Sequence, residues 1–316
     1  MSASPSDTAY CGRFAPSPTG PLHFGSLVAA IGSYLQARQQ GGSWLVRMED
    51  IDPPREIAGT SDAILHTLED YGFEWDGPVL YQSSRHEAYL DTLEQLRRDG
   101  RSYRCSCSRK QISEEGQRLG LPAGVYPGSC RNAAISQHQR HAVRLLTAEQ
   151  KISFDDVVQG DFSQQIDKEV GDFVLLRADG LFAYQLAVVV DDAYQGITEV
   201  VRGSDLLDNT PRQIALQQAL GLDTPGYLHL PLVVNESGQK LSKQTFATAL
   251  SNDNPLPALW QGLAFLGQHP LPELLEGDLR ALWNWAVNNW NSKFIPRTLA
   301  SPLRQSNGNS LPTDKE

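Results

Sequence analysis

The sequence "GRFAPSPTGPLHFGS", from Gly12 to Ser26, predicts a strand, a loop and the start of a helix in direct succession. The strand is the apolar part of "YCGRFAP" (Tyr10–Pro16), and the prolines that follow predict the loop. Helical periodicity then runs from Ser26 to Gln40. A loop rich in Gly and Pro that opens the N-terminus of a helix is a common way to hold phosphate groups.

The same alternation continues downstream. "SWLVRMED" (Ser43–Asp50) predicts a second strand, and helical patterns cover Ile57–Gly72 and His86–Gly100. Strands that alternate with helices predict an α/β fold with a doubly wound, parallel, Rossmann-like sheet, whose ligands bind at the carboxyl ends of the strands. The later run "LAVVV" (Leu186–Val190) predicts a buried strand.

The alternation breaks at Cys105 and resumes near Asp172, so we expect an insertion inside the catalytic domain. Beyond the lysine-containing sequence "KLSKQ" the pattern is helical, and the last residues have no apolar period, which predicts disorder. The expected segments are the first half of the catalytic domain at 8–104, the insertion at 105–172, the second half at 173–250, a helical region at 251–300 and a disordered tail at 301–316.

Composition excludes several classes of protein. The hydrophobic fraction is 40% and the formal net charge is −10, which argues against a membrane-spanning protein and against a broadly basic nucleic-acid binder. The segment Arg97–Lys110 is nevertheless locally basic, and it is either a solvated surface or a contact for RNA. Four cysteines do not make a disulfide framework, and the N-terminus lacks a signal-peptide pattern, so we expect a cytoplasmic protein.

Several residues suit chemistry on a nucleoside triphosphate. His23 stands where a helix N-terminus would meet a phosphate, and Gly20 and Gly25 allow the backbone to approach closely. Lys240 and Lys243 add positive charge on a loop. A single surface lysine is more often only solvated, but the two motifs together favour stabilisation of charge on phosphorus, with Mg²⁺ bound to the phosphates.

Three cysteines lie close together in the predicted insertion. A zinc site usually has four ligands, and Cys105, Cys107 and Cys130 supply three. The histidines nearest to them in the sequence, His138 and His141, have no regular spacing from the cysteines. Spacing alone leaves two interpretations open, a zinc site and three reduced structural cysteines.

Four motifs together resemble class I aminoacyl-tRNA synthetases of the glutamyl and glutaminyl group. They are "RFAPSPTGPLHFGS", "RMEDIDPPR", "VVDDAYQGITEVVRGSDLL" and "KLSK", and the resemblance covers residues 8–250. His23–Ser26 is similar to the HIGH signature and Lys240–Gln244 to the KMSKS signature, although Ser26 and Gln244 depart from the usual letters. Both lysines remain, so the resemblance implies that activation with ATP is retained.

The resemblance also implies roles for individual residues. It implies a catalytic role for His23, Ser26, Lys240 and Lys243, and ATP binding by His23, Gly25 and Lys243. It implies a glutamate pocket in which Glu49 binds the ammonium group and Arg13 and Arg202 bind the carboxylates. Arginine suits a dicarboxylic ligand because its guanidinium group binds a carboxylate through two hydrogen bonds. The residues of this implied pocket are Arg13, Ala15, Ser17, Glu49, Tyr184 and Arg202.

The short region after "KLSK" is too small for the anticodon-binding part of a glutamyl-tRNA synthetase, so the chain resembles the glutamyl-queuosine tRNA(Asp) synthetase group. That group uses ATP to esterify L-glutamate onto the queuosine base of tRNA(Asp). The resemblance implies one structural Zn²⁺ in an acceptor-binding insertion, held by Cys105, Cys107, Tyr126 and Cys130. We expect a monomer that has no membrane partner.

Three other interpretations remain open. A truncated glutamyl-tRNA synthetase would charge the 3′ end of a tRNA. A non-catalytic paralog would keep only the fold, but the retained Arg13, Glu49, Lys240 and Lys243 count against it. A nucleotidyltransferase for small molecules would not need the basic segment or the cysteine-containing insertion.

Overall fold

The computed structural model describes residues 9–235 and 248–303. Its strands, in chain order, are β1 Cys11–Phe14, β2 Ser43–Met48, β3 Leu80–Tyr81, β4 Ser102–Cys105, β5 Ala142–Leu145, β6 Lys151–Asp156, β7 Gly160–Gln165, β8 Val174–Leu176, β9 Glu199–Gly203, β10 Gly226–Leu230, β11 Leu232–Val234 and β12 Ala300–Pro302. Its α-helices are α1 Phe24–Gln39, α2 Thr60–Asp70, α3 His86–Arg98, α4 Arg109–Arg118, α5 Ile166–Glu169, α6 Tyr184–Tyr194, α7 Thr210–Leu220, α8 Leu256–Phe265 and α9 Leu279–Asn289. Within these ranges, no helix has the length and apolar character needed to cross a bilayer.

The predicted parallel sheet is confirmed. Strands β1, β2 and β3 pair in parallel in that order, and β9, β10 and β6 do the same, while β7 adds an antiparallel edge. A backbone hydrogen bond of 2.9 Å from Thr198 N to Cys11 O joins the start of β9 to β1. The carboxyl ends of β1, β2 and β9 therefore lie at one edge, where a ligand is expected.

Helix α1 lies at the centre of the largest core. Its residues Leu27, Ile31 and Leu35 are at most 1% exposed. The helical C-terminal region packs on it: the rings of Tyr34 and Trp283 stand edge to face with centroids 5.0 Å apart, and Trp290 Nε1 donates to Gln36 Oε1 at 2.9 Å. This packing fixes the position of the helix whose N-terminus carries His23.

The predicted insertion, residues 105–172, spans two sheets. Strand β5 pairs antiparallel with β4 and β8 in a small separate sheet, whereas β6 pairs in parallel with β10 of the main sheet. The boundaries of the insertion stay a prediction. Ser301 and Pro302 belong to β12, which pairs with β11, and Leu303 N donates to Val234 O at 3.0 Å. Residues 304–316 of the predicted tail lie outside the described residues.

The prediction of a strand at Leu186–Val190 is wrong, because these residues lie in helix α6. Leu186, Ala187, Val188 and Val189 are all buried, so the helix is apolar on most of its circumference and shows no 3.6-residue alternation. A short apolar run of this kind does not distinguish a buried strand from a buried helix. The helix places the two following aspartates, Asp191 and Asp192, in the interior.

Candidate active site and metal centre

A buried ionic network lies at the carboxyl ends of β1 and β2. Arg13 is 3% exposed, and its Nε is 3.0 Å from Asp192 Oδ1. Arg47 is fully buried, and its Nη2 is 2.8 Å from the same carboxylate oxygen. Burial opposes the ionisation of Asp192, but the two guanidinium groups outweigh it and hold the pKa below its ordinary value. Asp192 thus fixes both arginines by charge and geometry.

Glu49 stands at the mouth of this network. Its Oε1 is 3.6 Å from Arg47 Nη2, and its backbone N–H donates to Pro16 O at 3.0 Å, which ties the end of β2 to the loop after β1. Burial raises the pKa of Glu49, although Arg47 and Arg13 oppose the shift. A cationic group beside Glu49 would favour the ionised form, so the position suits a ligand ammonium group.

Arg202, on β9, is held by three further groups. Its Nε donates to His229 Nε2 at 3.0 Å, its Nη1 donates to Tyr184 Oη at 3.3 Å, and its Nη2 donates to Thr210 Oγ1 at 2.8 Å. Nδ1 of His229 lies 2.6 Å from Asp156 Oδ2. Burial is the main reason that the pKa of His229 is lowered, and Arg202 acts in the same direction against Asp156. A neutral imidazole is also what lets Nε2 accept from Arg202.

A cleft of about 280 Å³ opens between these elements. Ser17, Glu49 and Tyr184, three of the residues for which the resemblance implies a role in glutamate binding, line it. Arg13 and Arg202 are buried and do not line the cleft, but Arg202 donates a hydrogen bond to Tyr184. Ala15 is half-buried directly after β1. The described structure therefore brings the implied glutamate residues to one edge of the sheet.

The N-terminus of α1 is closed by a reciprocal cap. The Ser26 backbone N–H donates to His23 Nδ1 at 3.3 Å, and the His23 backbone N–H donates to Ser26 Oγ at 2.8 Å. This arrangement satisfies two helix-end donors and fixes the imidazole at the positive end of the helix dipole. Gly25 is in the first turn, where it adds no side chain.

The chain that follows the predicted lysine loop returns to this helix. Ala249 forms an isolated antiparallel bridge with His23, and Leu250 N donates to Leu22 O at 2.9 Å. Lys240 and Lys243 themselves lie outside the described residues. The segment that follows them along the chain meets the helix start that carries His23.

The three insertion cysteines converge. The Sγ atoms of Cys105, Cys107 and Cys130 lie within 4.8 Å of one another, and those of Cys107 and Cys130 are 3.3 Å apart. The hydroxyl of Tyr126 is 3.3 Å from Cys105 Sγ. Donors in a tetrahedral zinc–thiolate site stand roughly 3.7 Å apart, so these four side chains fit such a site in number, chemistry and spacing.

Electrostatics at this cluster also suit a cation. Burial and the hydrogen bond with Cys130 raise the pKa of Cys107 to about 12, and burial raises the pKa of Tyr126. Burial opposes the ionisation of Cys130, but hydrogen bonds with Cys107 and the Ser106 backbone hold the pKa of Cys130 below its ordinary value. Without a cation the protein therefore favours the neutral form at Cys107 and Tyr126. A divalent ion would reverse that preference, because it stabilises thiolate and phenolate directly.

Asp172 braces the loop that carries Tyr126 and Cys130. It is fully buried, and it accepts hydrogen bonds from Arg131, at 2.7 and 2.9 Å, from the Tyr103 hydroxyl, and from Thr147 N and Oγ1, both at 2.8 Å. Burial opposes its ionisation, but these donors hold its pKa below the ordinary value.

Sequence reasoning missed three buried residues of the active site. Asp192 was hidden because the run before it predicted a strand. Asp156 and His229 lie 73 positions apart, and nothing local connects them. The only sequence signal for Asp192 is its place in the motif "VVDDAYQGITEVVRGSDLL", and the motif alone gives this residue no role.

Comparisons with known proteins agree with this geometry. The family model for the catalytic domain of class I tRNA synthetases (E and Q) matches residues 11–270. A Glutamyl-Q tRNA(Asp) synthetase from Chromobacterium violaceum is 54% identical over 95% of this chain and 98% of its own length. A protein of the same name from Dechloromonas aromatica is 54% identical over 92% of this chain and 97% of its own.

Solved structures give the same fold. A glutamate tRNA ligase from Elizabethkingia meningosepticum superposes with a TM-score of 0.79 at 24% identity, over 94% of this chain and 67% of that one. The match of fold, the extent of the family model and the identity over nearly the whole length lead to one conclusion. The chain belongs to the glutamyl-Q tRNA(Asp) synthetase family, within the class I aminoacyl-tRNA synthetases.

Proposed function

We propose that this protein activates L-glutamate with ATP as glutamyl-adenylate and transfers the glutamyl group to the queuosine base in the anticodon of tRNA(Asp). The observation that carries this proposal is the arginine-rich edge of the sheet beside the cleft that Glu49 and Tyr184 line. The buried Arg202 donates to Tyr184, and the buried Arg13 shares Asp192 with Arg47, which pairs with Glu49. Two fixed guanidinium groups with a carboxylate nearby suit a ligand that has two carboxylates and one ammonium group.

In this proposal the amino acid lies in the cleft before any RNA binds. Arg13 and Arg202 attract its carboxylates, Glu49 attracts its ammonium group, and Ala15 and Ser17 form the adjoining wall. Tyr184 is fixed by its hydrogen bond with Arg202 and closes one side. These groups are held by buried partners, so little reorganisation is needed when the ligand binds.

ATP would bind at the N-terminus of α1. His23 and Gly25 would lie against the phosphates, with Ser26 holding the imidazole in place through the cap. Lys240 and Lys243 would stabilise the charge that develops when the α-phosphorus is attacked by the glutamate carboxylate and pyrophosphate leaves. Mg²⁺ bound to the phosphates would supply further charge neutralisation.

One Zn²⁺ would be held by Cys105, Cys107, Tyr126 and Cys130, with a structural role. Three of the four donors are buried and Cys107 is half-buried. This burial, the absence of a fifth donor in the described cluster and the bracing by Asp172 support a closed site rather than a catalytic one. The insertion at 105–172 would then present a rigid surface to the RNA.

The decisive experiment supplies labelled glutamate and ATP together with tRNA(Asp) that contains or lacks queuosine. Label should enter only the queuosine-containing tRNA, and periodate oxidation confined to the 3′ end should not prevent this. Labelling of queuosine-free tRNA that periodate abolishes would instead indicate charging of the 3′ end, and would overturn the proposal.

A further inference from the structure

A groove of about 440 Å³ lies beside the cysteine cluster, outside the cleft described above. One wall is helix α4, which contributes Ile112 and Gly116, and the other is the loop that ends at Tyr126. Its size lies within the range of small-molecule sites. Arg144 on β5 lines its inner end, and Arg109 lines its outer end.

Arg144 is a buried cation that lacks an anionic partner. It is 8% exposed, and none of the ion pairs in residues 9–235 and 248–303 includes it. Its Nη1 donates to the carbonyl oxygen of Asp172 at 2.7 Å, while Nε is buried and has no hydrogen-bond partner within the described chain. Buried charges are normally paired, because desolvation without a partner is unfavourable by several kcal/mol.

The same guanidinium group stacks on an aromatic ring. Its Cζ lies 3.8 Å from the centroid of Tyr126, whose hydroxyl points to Cys105 and Cys130. Tyr126 therefore connects the groove to the cysteine cluster, and a metal ion at the cluster would fix the ring against which Arg144 rests. A flat guanidinium held in this way offers a stacking surface and an N–H donor to a ligand.

The outer end of the groove is also cationic. Arg109 and Lys110 are exposed in the first turn of α4, directly after the capping residue Ser108. Positive side chains are unfavourable at a helix N-terminus by about 0.3–1 kcal/mol, so their presence there is not explained by the stability of α4. Lys110 does not line the groove and pairs with Glu114 at 3.7 Å. Arg109 lines the groove and gives it a positive end in a chain whose formal net charge is −10.

The remaining wall is apolar. Leu121, Pro122 and Val125 face Ile112 across the groove. A ligand that matches both parts has a flat, largely apolar face and an anionic group beside it, and a nucleotide has this combination.

We propose that the groove binds one nucleotide of the substrate RNA, with its base between the apolar wall and Arg144 and a phosphate at Arg109. This inference rests on the proposed transfer to tRNA(Asp).

The first test is Arg109→Gln. Arg109 is exposed and forms no ion pair in the part of the chain that the structure describes, so the variant should fold at least as stably as the parent protein. Its affinity for queuosine-containing tRNA(Asp), measured by fluorescence anisotropy, should fall about 3- to 10-fold, and the slope of log K against log salt should decrease by about 1. Arg280→Gln is the matched control, because Arg280 is exposed in the first turn of α9 and lies away from the groove.

The second test fills the groove from Gly116. A Cβ added there would meet only Val125 O, at 3.8 Å, so Gly116→Ala should be tolerated. Gly116→Leu adds a side chain in the space proposed for the base, and it should lower glutamyl transfer to tRNA about tenfold or more, because base stacking is lost. Zinc content and the unfolding midpoint of both variants show whether the cluster and the fold survive.

Transfer of labelled glutamate by the parent protein separates the possible failures. If the proposed function is wrong, the parent protein itself transfers no label to queuosine-containing tRNA(Asp). If the parent transfers label and both Arg109→Gln and Gly116→Leu bind and glutamylate the tRNA as the parent does, the nucleotide site is overturned. If Gly116→Leu loses zinc or unfolds, the nucleotide site is tested by the tRNA affinity of Arg109→Gln compared with that of Arg280→Gln alone.

Discussion

His229 Nε2 accepts a hydrogen bond from Arg202 Nε at 3.0 Å, while Nδ1 of the same ring lies 2.6 Å from Asp156. The imidazole thus connects the carboxylate of Asp156 on β6 to the guanidinium group of Arg202 on β9 and fixes the orientation of Arg202. Thr210 Oγ1 accepts from Arg202 Nη2 at 2.8 Å and lies 3.3 Å from His229 Nε2. This geometry requires a neutral ring, because a protonated Nε2 has no lone pair for Arg202.

The first prediction concerns pH and stability. The folded state lowers the pKa of His229 below 6.5, so between the folded pKa and about 6.5 the unfolded chain binds one more proton than the folded chain. The free energy of unfolding should therefore decrease as pH falls through this window. His229→Gln should show a smaller slope, by up to one proton, in denaturant titrations between about pH 5 and 7.

The groups that face this ring act in different directions. Asp156 favours the protonated form, Arg202 and Arg13 disfavour it, and Tyr227 stacks on it with centroids 6.2 Å apart. His138→Gln serves as the control, because that histidine is exposed and is not among the groups that act on His229. An unchanged slope in His229→Gln would show that His229 keeps its ordinary pKa in the folded protein.

The second prediction concerns amino-acid specificity. Glutamine should be activated on the order of 100-fold or more less efficiently than glutamate, because its neutral amide leaves a buried guanidinium without an anionic partner. The measurement is ATP–pyrophosphate exchange with each amino acid at matched concentrations. Equal kcat/KM for the two would remove Arg13 and Arg202 from the proposed pocket.

The third prediction concerns activation. Exchange should require glutamate and ATP but no tRNA, and Lys243→Ala should reduce its rate about 100-fold or more, because a charge contact in the transition state is lost. Lys151→Ala is a suitable control, since Lys151 is exposed at the start of β6. Exchange at the parental rate in Lys243→Ala would exclude this lysine from the chemical step.

The fourth prediction concerns the metal. Freshly purified protein should contain one zinc ion per chain by elemental analysis. Cys130→Ser should lose most of it, keep pyrophosphate exchange and lose much of the transfer to tRNA, because the cysteine cluster lies apart from the cleft. Cys11→Ser is the matched control: Cys11 lies on β1, where its Sγ is 3.7 Å from Gln195 O. A metal-free parent protein, or equal loss of both activities in Cys130→Ser, would contradict this prediction.

The sequence predicted the parts of the fold that depend on local pattern. The β1–α1 unit was predicted because its periodicity and its Gly and Pro residues are local signals, and α1 begins only two residues before the predicted start, at Phe24. Helix α6 was predicted wrongly, because a segment buried on nearly every side has no polar face to mark its period.

The candidate site was predictable where residues sit in motifs and not where they meet through the fold. Cys105, Cys107 and Cys130 were found by type and spacing, but spacing could not decide whether their sulfur atoms converge, which the folded loop brings about. The role of Asp192 follows only from the structure, in which α6 places this carboxylate between Arg13 and Arg47. Contacts between distant segments depend on tertiary packing, and a local sequence pattern does not predict them.

The packing of the C-terminal helices on α1 has a consequence for dissecting this protein. A Cβ added to Gly262 on α8 would stand 2.4 Å from Ile31 Cδ1, and Trp290 donates to Gln36. Shortening the chain to residue 250 would therefore remove the residues that pack on α1, whose N-terminus carries His23. The helical region therefore supports α1, and a fragment that keeps this packing must extend at least through Trp290.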